Sequence, residues 1–194
     1  MKAVKRFCLV ILTFASVSAT KAQNVAVKTN LLADCLLNVN AGIEVGLDTR
    51  WTLDLDGQFN FWTVNDHKWK HWLLKPEARY WFCERFAGHF LGFHALGGEY
   101  NFARIKNNIS FLGSDFSPLT DLRYQGWGIG AGIAYGYDWV LSMHWNLEAE
   151  IGIGWIYTRY DVFPCTECGS KLQSNMKHNY FGPTKVALSL VYLF

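Results

Sequence analysis

The sequence predicts an all-β fold, namely an eight-stranded antiparallel up-and-down transmembrane β-barrel that follows an N-terminal signal peptide. Three observations predict this fold class. Eight segments alternate between apolar and polar residues with the period of two that is typical of membrane-barrel strands. The connections between these segments alternate between short and long. The first residues of the chain have the composition of a secretory signal.

The N-terminal segment, residues 1–22, has the three parts of a signal peptide. "MKAVKR" is basic, "FCLVILTFASV" is uncharged, and "SATKAQ" offers small residues for cleavage after Ala19 or Ala22. The uncharged run is too short to favour a membrane-spanning helix. We therefore expect a signal peptide over residues 1–22 and an outer-membrane β-barrel over residues 23–194.

Removal of the signal peptide changes the charge balance of the chain. The full sequence has 18 Lys and Arg against 16 Asp and Glu, and residues 1–22 contain four of the cations and no anion. The remaining chain therefore carries 14 basic and 16 acidic residues, a net charge of −2. A nucleic-acid partner is not expected from this balance, and the length fits a single domain.

The alternating segments define the expected strands. They lie near residues 25–34, 39–48, 51–62, 71–83, 87–103, 125–138, 144–160 and 181–194. The third, "WTLDLDGQFNFW", places apolar and polar side chains on opposite faces, and the sixth, "GWGIGAGIAYGY", alternates glycine with larger apolar residues. The facing of the fifth segment is ambiguous, because both of its faces are largely apolar.

The connections fall into two length classes. "DTR", "ERF" and "WVLSM" are short, whereas "TVNDHKWK" and the segments 104–124 and 161–180 are long. An even number of strands with short turns on one side and long loops on the other is typical of bacterial outer-membrane barrels. In those proteins the short turns face the periplasm. We therefore expect an integral outer-membrane protein with both termini in the periplasm.

The polar faces of the predicted strands carry charges of both signs. The ten residues are Lys28, Glu44, Asp54, Asp56, Lys75, Glu77, Arg79, Glu148, Glu150 and Lys185. A soluble barrel places its polar faces outward, but a Lys or Arg that faces lipid at the membrane centre costs about 2–4 kcal/mol. We expect these residues to form a polar network inside the barrel. Eight strands leave a lumen that side chains can fill, so a filled interior is favoured over a ligand cavity, and a general diffusion pore is not expected.

Aromatic residues cluster toward the ends of the predicted strands. Trp51, Phe82, Trp139, Trp145 and Tyr192 fall at one rim, and Phe61, Trp72, Trp127, Tyr157 and Tyr160 fall at the other. Such rows form the aromatic girdles at the two membrane interfaces. The final segment, "KVALSLVYLF", resembles the closing strand of outer-membrane barrels, in which Leu190, Tyr192 and Phe194 would be the insertion signal.

The chain as a whole resembles small outer-membrane barrels of the OmpA-like kind. More narrowly, it is similar to an uncharacterised family of Bacteroidota outer-membrane proteins, a domain of unknown function. The resemblance is carried by "VAVKTNLLADCLLNVNAGIEVGL", "WLLKPEARYWFCERFAGHFLGFHALGGEYNF", "GWGIGAGIAYGYDWVLSMHWNLEAEIGIGWIYTRYD" and "VALSLVYLF". It implies outer-membrane lipid, lipopolysaccharide and the barrel-assembly machinery as partners, together with a surface or fimbrial protein. It supplies no catalytic residue, and no cofactor is expected.

Two function classes are open at this point. The first is a structural or interaction protein that displays loops 104–124 and 161–180 or supports the assembly of surface structures such as fimbriae. The alternative is an interfacial enzyme that modifies lipid A. Its candidate residues are His89, His94, Ser142 and His144. Nothing in the sequence joins a nucleophile to a base and an orienting group, so we expect no enzyme activity.

The last predicted loop contains a C-x-x-C in "VFPCTECGSK". Zinc would need further ligands, and a redox pair would need a helix N-terminus beside Cys165 and Cys168. A local disulfide between these two cysteines is therefore favoured, with reduced thiols as the alternative. Cys35 and Cys83 are expected near opposite ends of the barrel, whereas a disulfide needs Cα atoms within about 7 Å.

Overall fold

A computed structural model of the protein describes residues 24–64, 67–103, 110–111, 114–115, 122–164 and 169–194. The expected signal peptide and the pair Cys165 and Cys168 lie outside the described residues. Within the described ranges, no helix is long and apolar enough to cross a membrane.

Eight antiparallel strands form one closed barrel, which confirms the all-β prediction. Each strand pairs with its neighbours in the sequence, and the first strand closes the ring against the last. The strands are β1 Val25–Asn30, β2 Val39–Gly46, β3 Trp51–Val64, β4 His67–Trp81, β5 Gly88–Ala103, β6 Arg123–Val140, β7 Trp145–Phe163 and β8 Gln173–Leu193. A two-stranded hairpin, Ser110–Phe111 with Ser114–Asp115, lies apart from the barrel sheet.

The two ends of the barrel differ in their connections. The turn end carries the connections 47–50, 82–87 and 141–144, together with Asn24 and Phe194. The opposite end, here called the loop end, carries the longer intervals 104–122 and 164–172. The predicted loop "TVNDHKWK" is mostly strand, because β3 and β4 stay paired as far as Val64 and His67. The physical reason is that a hairpin projecting past the barrel wall keeps its backbone ladder without needing an apolar face.

A short helix replaces the second half of the first predicted strand. The alternation in "VAVKTNLLAD" predicts a strand to residue 34, but β1 ends at Asn30 and α1 spans Leu31–Cys35. The Asn30 side chain accepts a hydrogen bond from the Leu32 backbone N–H at 3.1 Å, which is the geometry of a helix N-cap. Capping by Asn30 therefore ends the strand, although the alternating pattern continues past it.

The contact between β1 and β8 closes the ring with five residue pairs, and we call it the seam. It runs from Ala26↔Leu193 to Asn30↔Ser189, whereas β8 pairs with β7 from Gln173 to Tyr192. Beyond the seam, the side chain of Asn30 takes the place of the missing strand. Its Oδ1 accepts a hydrogen bond from the Leu188 backbone N–H at 3.2 Å, and its Nδ2 donates to the Val186 carbonyl oxygen at 3.4 Å.

Side chains alternate between the lumen and the outer surface along every strand. On β7, Asn146 and Glu148 point inward and are buried, whereas Ile151 and Ile153 point outward and are 58% and 48% exposed. The outward residues of β3 to β8 together form a continuous apolar surface, which we call the apolar belt. This arrangement is the reverse of a soluble barrel, in which the lumen is apolar and the outer face is polar.

Aromatic side chains border the apolar belt at both ends. At the turn end, the rings of Trp145 and Tyr192 meet edge to face with centroids 4.9 Å apart. At the loop end, Trp127 and Tyr157 lie 6.0 Å apart. Five other residues expected in the girdles are also exposed on the outer surface; they are Trp51, Phe61, Trp72, Phe82 and Trp139. Tyr160 was expected in the loop-end girdle but lies on the lumen side, because it has the same inward parity on β7 as Asn146 and Glu148. Past the loop-end row, the outward positions become polar, at Lys70, Glu99, Gln125, Arg159 and Asn179.

Glycines let β6 and β7 approach each other closely on the lumen side. A Cβ atom on Gly130 would lie 2.6 Å from the Trp155 carbonyl oxygen, and one on Gly154 would lie 2.7 Å from the Gly132 Cα. The opposing atoms belong to the backbone and cannot rotate away. The glycine rows therefore allow the strong curvature that a small barrel requires.

Candidate functional site

Apolar side chains close the lumen at the turn end. We call this cluster the plug; it consists of Ala26, Trp81, Phe86, Phe90, Val191 and Leu193. The rings of Trp81 and Phe90 lie 4.7 Å apart, and the Trp81 Nε1 donates a hydrogen bond to the Thr52 hydroxyl at 2.9 Å. The indole N–H is thus satisfied inside a cluster that is otherwise apolar.

The next layer of the lumen is an ion network centred on Arg79, whose guanidinium is fully buried. Its Nε donates to Glu77 at 2.6 Å, and its Nη1 donates to Glu44 at 2.8 Å and to Glu148 at 2.7 Å. Its Nη2 donates to Glu148 at 3.1 Å and to Glu150 at 2.8 Å. One planar cation thus joins carboxylates from three strands, β2, β4 and β7, which is a task suited to the forked donors of arginine.

Two lysines extend the ion network to the strands at the seam. The Lys28 Nζ on β1 donates to Glu44 at 2.6 Å. The Lys185 Nζ on β8 donates to Glu77 at 2.8 Å and lies 2.9 Å from a Glu150 oxygen. These contacts tie the first and last strands to the same set of carboxylates. Paired in this way, the buried charges offset part of their desolvation cost.

All ten residues expected in the interior network lie on the lumen side of the barrel. Asp54 lies 3.2 Å from the Lys28 Nζ and 3.3 Å from the Arg79 Nη2, and Asp56 lies 3.7 Å from the Lys185 Nζ. Lys75 is buried on β4 at the loop-end side of the network. The structure therefore brings the predicted residues into one layer that crosses the lumen.

The lumen also holds polar residues outside the ten predicted for the network. Asp138 and Asn146 are buried beside the plug, and the Asn146 Nδ2 donates to the Phe86 carbonyl oxygen at 2.7 Å. His94 is buried on β5, where its Nε2 lies 2.8 Å from the Thr184 hydroxyl. The inward parity of β6 and β7 would have identified the first two. The inward position of His94 could not be predicted, because "FLGFHALGG" is apolar on both faces.

The four residues of the enzyme alternative are not brought together. His94 faces the lumen, whereas His89 lies on the outer surface and shares a hydrogen bond with the Tyr135 hydroxyl. Ser142 lies in a turn, where its hydroxyl accepts the Trp145 backbone N–H at 3.3 Å. His144 lies in the same turn, with its ring 5.8 Å from that of Tyr192. Among these four residues, the geometry provides no nucleophile beside a base.

The remaining metal and thiol candidates form no centre in the described ranges. No group of three or more His, Cys, Asp or Glu residues there is arranged to hold a metal ion. The His71 Nε2 lies 3.2 Å from the Gln58 amide nitrogen, on the lumen side of β4. Cys35 and Cys83 are both exposed and free.

The loop-end half of the lumen contains open space, which we call the lumen cavity. Its volume is about 630 Å³, and its lining includes Leu73, Leu96, Tyr100, Ile156 and Tyr180. The structure thus differs from the expected filled interior, since packing extends only from the plug through the ion network. The physical reason is that β5 and β6 contribute Gly98 and Gly128 at inward positions here, and these residues supply no side-chain volume.

A second, more polar depression of about 530 Å³ lies at the loop end, where its lining includes the outward residues Lys70, Glu99, Gln125 and Arg159. On one side of it, Asp161 on β7 accepts a hydrogen bond from the Lys171 Nζ at 2.7 Å and another from the Asn175 backbone N–H at 2.8 Å. The Lys171 ammonium, and then the Asn175 amide, lower the pKa of the exposed Asp161 carboxyl. Asp161 therefore anchors the interval between β7 and β8 as a carboxylate.

The comparisons with known proteins bear on the whole chain. A family model described as "Protein of unknown function (DUF3575)" matches residues 7–194. Neither a curated protein nor a solved structure matches the chain. The family match covers every strand of the closed barrel and extends toward the N-terminus. The chain therefore belongs to the DUF3575 family of proteins of unknown function.

Proposed function

We propose that this protein is an integral outer-membrane barrel of the OmpA-like kind from a Gram-negative bacterium of the Bacteroidota. The supporting observation is the polarity of the barrel wall. Between the two aromatic rows, the outward positions of β3 to β8 hold no Asp, Glu, Lys or Arg among the described residues, whereas the lumen holds the ion network. Lipid accommodates an apolar outer surface, whereas each Lys or Arg that faces lipid at mid-membrane costs about 2–4 kcal/mol of free energy.

The height of the apolar belt supports the same proposal. On β7, the outward residues from Trp145 to Tyr157 span thirteen positions. A rise of about 3.3 Å per residue and a tilt of about 40° give a height of about 30 Å. That height fits an apolar band of about 25 Å with part of an aromatic ring in each interface.

In this proposal the turn end faces the periplasm and the loop end faces outward. Residues 1–22 act as the signal peptide, and Leu190, Tyr192 and Phe194 form the segment that the barrel-assembly machinery recognises. The Phe194 backbone N–H donates to the Val25 carbonyl oxygen at 3.0 Å, so the same residue helps to hold β1 at the seam. Lipopolysaccharide and other outer-membrane lipids surround the belt.

The role of the barrel is structural and interactive. Its rigid wall carries the projecting ends of β3, β4, β7 and β8 beyond the loop-end aromatic row. We expect these projections to contact a surface protein, including a component of fimbrial assembly. The enzyme alternative gains no support from the positions of its four candidate residues.

Fractionation and electrophoresis test the membrane assignment. The full chain should enter the outer-membrane fraction of a Gram-negative host and migrate differently in unheated and heated gels. A protein that stays in the soluble fraction and migrates alike in unheated and heated gels would refute the proposal.

Orientation is tested in a background in which Cys35, Cys83, Cys165 and Cys168 are replaced by serine, and one new cysteine is then introduced. Lys177→Cys should react with an impermeant maleimide in intact cells, and Asp48→Cys only after lysis.

The two function classes are separated by incubating the purified barrel with lipid A. We expect the mass of lipid A to stay unchanged. A mass change that disappears in His89→Ala would establish the enzyme instead. The structural role predicts that the intact barrel captures a surface protein. A variant with a shortened β3–β4 projection should fail to capture that protein.

A further inference from the structure

We propose that the lumen cavity binds a neutral, largely apolar ring compound. This inference goes beyond the proposed surface role, because it requires neither a partner protein nor a particular membrane. The cavity of about 630 Å³ is much larger than a packing defect. It falls within the range of about 300–1,000 Å³ that small-molecule sites occupy.

The lining selects against charged ligands. Leu73, Leu96 and Ile156 supply apolar surface from three strands, and among the lining residues that the structure describes only Glu99 is an Asp, Glu, Lys or Arg. The strand parity turns Glu99 to the outer surface, where its carboxylate accepts a hydrogen bond from the Trp72 Nε1 at 3.2 Å. A charged ligand in this space would lose its hydration without gaining an opposite charge.

Aromatic rings form much of the wall. Phe102 stacks on Tyr100 with centroids 5.3 Å apart, and it meets the ring of His71 edge to face at 6.0 Å. On the strands β6 and β7, Tyr124 and Tyr160 lie 5.5 Å apart. Flat surfaces of this kind favour a planar ring, through offset stacking and edge-to-face contacts.

A few polar groups break the apolar lining. Tyr100 and Thr158 contribute hydroxyl groups to the lining. Thr184 is held by His94 at the floor of the cavity. His71 uses its Nε2 for Gln58, and its Nδ1 is buried with no hydrogen-bond partner among the described residues. A small number of placed polar groups in an apolar pocket orients a ligand that has one or two hydrogen-bonding groups.

Among the described residues, the cavity opens toward the loop end. The ion network lies on the turn-end side of the cavity and contributes no residue to its described lining, and the plug closes the lumen beyond the network. A ligand can therefore reach the aromatic wall from the loop end without displacing the buried charges. A substitution in the cavity wall can therefore change ligand binding without altering the ion network, and such variants test the proposal.

A fluorescence titration tests this site with N-phenyl-1-naphthylamine, a neutral amine that joins a naphthyl group to a phenyl ring. The full barrel is placed in lipid nanodiscs, and empty nanodiscs correct for partition into lipid. We expect saturable binding of one probe per barrel. Ile156→Trp, which fills the cavity, should weaken binding at least tenfold, or about 1.4 kcal/mol. Ile153→Trp is the matched control, because it lies on the same strand but faces outward and is 48% exposed.

Further arms make the outcome decisive. A heat-dependent gel shift verifies that each variant is folded, and Thr158→Phe serves as a second filling variant if Ile156→Trp does not fold. The anionic analogue 8-anilinonaphthalene-1-sulfonate should bind at least tenfold more weakly than the neutral probe. The proposal is overturned if the unaltered barrel shows no saturable binding or if filling and control variants bind alike. Equal affinity for the two probes would overturn the preference for a neutral ligand.

Discussion

Replacing Arg79 by methionine should cost the barrel a large part of its stability. The change keeps an unbranched chain in the lumen but removes a cation that donates hydrogen bonds to Glu44, Glu77, Glu148 and Glu150. All four carboxylates are at most 5% exposed, so water cannot replace the lost donors. Breaking a single buried ion pair from one side costs about 3–5 kcal/mol. With four acceptors left behind, we expect a loss at or above about 5 kcal/mol.

Urea unfolding in lipid vesicles, followed by tryptophan fluorescence, measures this loss. Arg50→Met is the matched control, because Arg50 lies exposed in a turn, where substitutions change stability by no more than about 0.5 kcal/mol. The double variant Arg79→Met with Glu148→Gln should recover part of the loss, since the bidentate partner is then neutral. A loss below about 1 kcal/mol for Arg79→Met would refute the view that this cation holds the lumen together.

Three further predictions follow from the wall and the loop end. Gly132→Ala should destabilise the barrel by about 1–3 kcal/mol in the same unfolding assay, since its Cβ would lie 2.8 Å from the His94 Nε2 and 2.9 Å from the Gly154 Cα. Gly97→Ala is the control and should be tolerated, because the nearest atom to its Cβ would be 3.8 Å away. Asn30→Ala should cost about 1–3 kcal/mol and speed hydrogen exchange at Leu188, and unchanged exchange there would count against the bridging role of Asn30. The lowered pKa of Asp161 means that its anchor adds stability above the usual carboxyl pKa of about 3.9 and loses it as the pH falls through the lower folded value. In the unaltered chain, the hydrogen exchange of the Asn175 amide should therefore become faster only at acidic pH. In Asp161→Asn, it should be faster at neutral pH as well.

The sequence was sufficient for the strands of the belt and insufficient outside it. Alternation arises where one face of a strand meets an apolar environment and the other meets the polar lumen, as at Leu53 and Asp54. Residues 63–70 carry no alternation in the sequence, so the sequence did not predict that β3 and β4 stay paired as far as Val64 and His67. The helix at Leu31–Cys35 was missed for another reason. Its start is fixed by tertiary hydrogen bonds, including one from the Asn30 N–H to the Asn40 side chain at 2.6 Å.

The interior could be predicted as a face but not as a set of contacts. Strand parity assigns Glu148 and Lys185 to the lumen, but which carboxylate each cation meets depends on strand register and tilt. Open space is less predictable still, because it depends on the summed volume of side chains from several strands. The glycines at 98 and 128 became informative only once their neighbours in the barrel were known.

The seam has a consequence for how the chain folds. Every other pairing in the ring joins consecutive strands, whereas the seam joins Asn30 to Ser189 and so closes a loop of nearly the whole domain. Loop closure of that length carries the largest entropic cost, and here it is compensated by a pairing of only five residues on each strand. The meander of hairpins should therefore form first as an open, curved sheet. The meeting of β1 with β8 is then the last and slowest step, and the point at which the finished barrel first comes apart.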